Sequence, residues 1–69
     1  MSAYEAAKDT MYAASRGMTE ARRDFDTAMN RGDHQRAQDA ANEMATCAIA
    51  MGHAAAALES YFAELRGVA

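Results

Sequence analysis

Few side chains in this 69-residue chain have the chemistry of a reactive site. Cys47 is the only cysteine, and His34 and His53 are the only histidines. One thiol and two imidazoles without ligand spacing make a poor metal site, so no metal and no other cofactor is expected. Cys47 has no basic residue within a helical turn and no helix N-terminus to activate it. Its simplest role is a small apolar core residue. Asp24 and Asp26, two apart, project from different faces of a helix and cannot act together as an acid–base pair. The chain also lacks a Gly-rich phosphate loop, a nucleophile elbow and an H-E-x-x-H pattern. An enzyme is therefore not expected.

Binding groups are better represented. Arg22, Arg23, Arg31 and Arg36 gather toward one end of the chain's helical layout, and arginine suits phosphate or carboxylate recognition. The plainer account sets them in helical ion pairs, Arg22–Asp26 and Arg16–Glu20 at four residues and Arg36–Asp39 at three. His34, in a first helical turn, reads as solvated. His53, mid-helix beside Gly52, reads either as a ligand-binding or pH-sensing group or as a structural histidine hydrogen-bonded near Asp9 and Thr10. Tyr12 stands off the apolar row of its helix and is a candidate contact residue. Met29, just off the same row, is a candidate for adaptable partner contact.

The elements that position these residues follow from periodicity. Tyr4, Met11, Met18 and Phe25 recur every seven residues, and Ala7, Ala14, Ala21 and Ala28 recur in step with them. Alternating large and alanine layers mark a helix that lies close to a partner, because alanine leaves room for the facing backbone. Ser2 and Glu5 form an S-x-x-E capping signal at the start. Gly32 can close this helix in a left-handed conformation, and Asp33 can cap the next. Two helices of about 3–31 and 34–66, joined by the tight turn Asn30-Arg31-Gly32-Asp33, must then lie antiparallel. Gly67 is the expected stop. A rival reading breaks the first helix at Arg16-Gly17 and restarts it at a Thr19 cap. The unbroken heptad register through Gly17 opposes that.

The second helix is apolar over more of its circumference. Ala37, Met44, Met51, Leu58 and Leu65 form a central row. Ala40, Cys47, Ala54 and Tyr61 flank it on one side, and Ala41, Ala48, Ala55 and Phe62 on the other. Between Ala45 and Leu58 only Thr46 and His53 are polar. A helix apolar nearly all round needs cover nearly all round, which one partner cannot supply. A chain this short is also marginal alone, burying only about 60% of its unfolded surface. The expectation is an all-α, single-domain hairpin spanning 1–69 that self-associates into a four-helix bundle or a higher helical oligomer.

Net charge is −3, spread unevenly. Residues 1–36 balance six basic side chains with six acidic ones, whereas residues 37–69 carry Arg66 against Asp39, Glu43, Glu59 and Glu64. This balance argues against nucleic acid as the main partner. The polar, capped start is unlike a secretory leader. The apolar stretch 44–58, interrupted by Gly52 and His53, is too short to span a bilayer. A lone cysteine fits a reducing compartment, so a cytoplasmic location is expected.

In length, single turn and alternating small and large layers, the chain resembles the Rop-type plasmid hairpins. That resemblance implies a dimeric four-helix bundle and, by extension, binding of paired RNA loops. The outer face of the first helix departs from it by mixing Glu5, Asp9, Glu20 and Asp24 among its basic residues. Three functional expectations result. The leading one is a non-enzymatic, oligomeric interaction module (an adaptor, inhibitor or accessory protein) whose partners are its own copies and another protein. The second is a binder of a small anionic ligand such as a nucleotide, using Arg22, Arg23, Arg31, Arg36, Tyr12 and His53 at inter-chain pockets. The third is a Rop-like RNA-binding dimer.

Overall fold

The computed structural model describes residues 2–67. Two helices, α1 (Ala3–Arg31) and α2 (His34–Leu65), pack as an antiparallel hairpin whose longest extent is 53 Å. Ser2 caps α1, its Oγ accepting from the Glu5 N–H at 3.1 Å. Only half of the expected capping box forms. The Glu5 carboxylate lies 3.7 Å from the Lys8 ammonium instead of returning to the Ser2 N–H.

The turn is built as its residues imply. Gly32 takes φ 72°, ψ 18°, a region that costs side-chain-bearing residues about 1–2 kcal/mol. The Gly32 N–H donates to Met29 O at 3.1 Å and the Asp33 N–H to Ala28 O at 2.9 Å, which satisfies the carbonyls at the end of α1. Asp33 then accepts the Arg36 N–H at 3.1 Å and opens α2. The second helix ends at Leu65, one residue before the expected limit, and Gly67 takes φ +70°.

α1 passes through Gly17 without a break. Thr19 is no cap, since its hydroxyl donates to the Ser15 carbonyl at 3.2 Å within the helix. Gly17 also has a reason to be glycine. A Cβ placed there would sit 2.9 Å from Cys47 Sγ, closer than carbon and sulfur tolerate, so a side chain at 17 requires the thiol or the helices to shift. Gly52 has no such neighbour within 4 Å, and nothing in the hairpin explains it.

The core is almost entirely alanine. Ala7, Ala14, Ala21 and Ala28 of α1 and Ala37, Ala40 and Ala54 of α2 are buried, and no large side chain among the described residues is fully buried. Tyr4, Met11, Met18 and Phe25, like Met44, Cys47, Met51, Leu58 and Tyr61 across the seam, are half-buried. The energetic consequence is direct. A buried alanine withdraws one methyl group, about 0.8 kcal/mol, whereas a fully buried Met, Leu or Phe contributes roughly 1.5–3 kcal/mol.

Two of the three rows of α2 behave differently from their sequence reading. The Ala40/Cys47/Ala54/Tyr61 row joins the seam, but Ala48, Ala55 and Phe62 of the opposite flank stay exposed. Leu65, expected in the central row, is 66% exposed, one turn beyond Tyr61, which packs against Tyr4 near the start of α1.

Candidate interaction surfaces

The hairpin has two chemically unlike sides. At 100° per residue, Gly17, Glu20 and Asp24 fall on one side of buried Ala21, and Met18, Arg22 and Phe25 on the other. Around Ala40, Arg36, Asp39 and Glu43 likewise separate from Ala37, Ala41 and Met44. The first sets meet across the seam. Gly17, Glu20, Ala21 and Asp24 of α1 and Arg36, Asp39, Ala40 and Glu43 of α2 line one groove of ≈ 310 Å³. Its walls carry four carboxylates against a single guanidinium, so the local field repels anions. A smaller groove of ≈ 180 Å³ lies beside the turn, lined by Asp24, Thr27, Ala28, Arg31, Asp33 and Arg36.

The arginine cluster is therefore divided. Arg31 and Arg36 share the smaller groove with Asp24 and Asp33, two cations facing two carboxylates. Arg22 and Arg23 line neither groove. The expected pairs Arg22–Asp26, Arg16–Glu20 and Arg36–Asp39 do not close to 4 Å. Among the described residues, Lys8–Glu5 is the ion pair that forms. Asp39 instead accepts from Gln35 Nε2 at 3.2 Å. Asp24 lines both grooves and Asp26 neither, in keeping with their separation on the helix.

His53 does not meet Asp9 or Thr10. It is exposed, and its imidazole enters none of the side-chain hydrogen bonds formed by the described residues. The residue count from the seam explains this. Met51 and Ala54 face α1, and 100° per residue turns His53 away from both. His34 is exposed at the start of α2. Cys47 is half-buried against Gly17. No group of three His, Cys, Asp or Glu among the described residues is placed to hold a metal ion. Nor is any helix among them long and apolar enough to cross a membrane.

The opposite side is apolar. The large row of α1 (Tyr4, Met11, Met18, Phe25) lies beside the outer flank of α2 (Ala41, Ala48, Ala55, Phe62). Helix periodicity sets this arrangement, and ring contacts mark its open end. Tyr4 sits 5.1 Å from Tyr61 and 6.2 Å from Phe62, and Tyr61 and Phe62 are 5.3 Å apart. Lys8 lies 5.5 Å from the centre of the Tyr4 ring, capping the cluster from the α1 side. Phe62 nevertheless remains 44% exposed.

Further apolar groups point outward. Tyr12 is 57% exposed and Met29 48%, as their positions off the seam require. Ile49, at 62%, carries no spacing signal of its own. The available signal was indirect: it belongs to the stretch Ala45–Leu58 that is apolar nearly all round. Against known proteins, no family model, no curated protein and no solved structure matches this chain.

Proposed function

We propose that this chain is a non-enzymatic interaction module, a helical hairpin that works as an oligomeric bundle and acts by binding macromolecules. One observation carries the reading. Among the described residues the large side chains at the seam are left half-covered by the hairpin, while those that are buried are alanines. Association would cover Met11, Met18, Met44, Met51 and Leu58 and supply the burial that a single hairpin lacks. The exposed Tyr12, Met29 and Ile49 then remain on the outer faces for a further protein partner. The carboxylate-rich groove weighs against a nucleotide there, and Arg31 and Arg36 are matched by Asp24 and Asp33 in the smaller one.

Sedimentation velocity with circular dichroism tests the reading at micromolar concentration. The expected result is a helical species of at least twice the 7.4 kDa chain mass. A stable, fully helical 7.4 kDa particle across the whole range would overturn it.

A further inference from the structure

Resting on that reading, we propose that a second copy of this chain occupies the apolar side of the hairpin, with the charged groove facing away from the contact. The area argument comes first. A compact 7.4 kDa monomer exposes about 4,200 Å². This hairpin exposes 5099 Å², roughly 900 Å² more than that compact reference. A standard stable interface buries about 800 Å² from each partner, an area this elongated hairpin can give up and still expose no less than a compact chain.

Charge then selects the side. Residues 44–58 of α2 hold no Asp, Glu, Lys or Arg, and the α1 row opposite them is Met and aromatic. The groove side holds Glu20, Asp24, Asp39 and Glu43 against Arg36. Two copies meeting through the groove would bring eight carboxylates together around two guanidiniums, a strongly repulsive arrangement. Through the apolar side the mid-helix charge to accommodate is Arg22, exposed on a long side chain that can keep its guanidinium in water. A twofold contact is self-complementary, so each hairpin presents the same half-covered methionines to its mate. Unbranched methionines adapt readily to such a surface. Two hairpins placed this way close a four-helix core.

The double variant Ala48→Glu/Ala55→Glu tests the assignment, because both alanines are exposed in the hairpin. Sedimentation equilibrium should show association weakened by on the order of a hundredfold or more, since each dimer would bury the charges twice. The groove variant Asp39→Asn/Glu43→Gln should associate within about threefold of the native chain, as surface changes away from a contact do. If the native chain associates and the groove variant alone loses association, the assigned side is wrong while the association reading stands. If the native chain stays a folded monomer, both fall. Association that requires a different added protein would also overturn the second copy as occupant.

Should the double variant fail to fold, a thiol-directed benzophenone decides. It is placed at Ala48→Cys or at Asp39→Cys in a Cys47→Ser background. Cross-links between copies from position 48 and none from 39 support the proposal; the reverse pattern overturns it.

Discussion

At Gly17 an added side chain would meet the facing helix inside contact distance, and replacing it tests that approach directly. Gly17→Ala has two opposed effects. A glycine inside a helix costs about 1 kcal/mol relative to alanine, so the substitution alone favours α1. The added Cβ, however, lands 2.9 Å from Cys47 Sγ. Relieving such a clash in a packed seam costs about 1–3 kcal/mol, because the thiol must rotate or the helices must part. The sum runs from no change to a loss of about 2 kcal/mol. In a Cys47→Ala background the obstructing sulfur is gone, and Gly17→Ala should stabilise by about 1 kcal/mol. The double-mutant cycle therefore predicts a coupling of about 1–3 kcal/mol between positions 17 and 47. Urea unfolding followed by circular dichroism measures it, with all four chains at one concentration so that association contributes equally. Stabilisation by about 1 kcal/mol in both backgrounds would refute the close approach.

Gly52→Ala should behave oppositely to Gly17→Ala. Nothing lies within 4 Å of the new methyl, so the helix gains about 1 kcal/mol and the melting temperature rises by roughly 4–8 °C. Asp33→Ala removes the carboxylate that accepts the Arg36 N–H and should lower stability by about 1 kcal/mol in the same urea assay. Leu65→Ala, at a site 66% exposed, should change stability by less than about 0.5 kcal/mol. Leu58→Ala, half-buried in the seam, should cost about 1–2 kcal/mol, below the full core value because its cover is partial. Equal effects at 58 and 65 would show that the end of α2 is covered after all.

The helical architecture was legible because its signals are local. Ser2, Gly32, Asp33 and Gly67 each act on backbone groups within a few residues, so their types place the helix ends without knowledge of what packs where. The seven-residue recurrence of alanine in α1 likewise specifies which stripe is buried, since a straight helix returns to nearly the same face after two turns. The register of Gly17 within that recurrence was enough to keep the helix whole. Ion pairing was less legible. Arg22–Asp26, Arg16–Glu20 and Arg36–Asp39 have favourable spacing, but solvated pairs on a helix gain only tenths of a kcal/mol and lose side-chain freedom by closing.

What the amino-acid order determined by itself was an antiparallel hairpin with an alanine seam and too much apolar surface for two helices to hide. Only the packed structure decided which flank of α2 turns inward, because three neighbouring rows are all apolar and hydrophobicity cannot rank them. In the packed hairpin Cys47 lies against Gly17, Ala40 and Ala54 are buried and Tyr61 half-buried in the seam, and Ala48, Ala55 and Phe62 stay outside. The same packing turns His53 to solvent and splits the four arginines between separate surfaces. Both outcomes depend on contacts between residues about thirty positions apart, which no local pattern encodes.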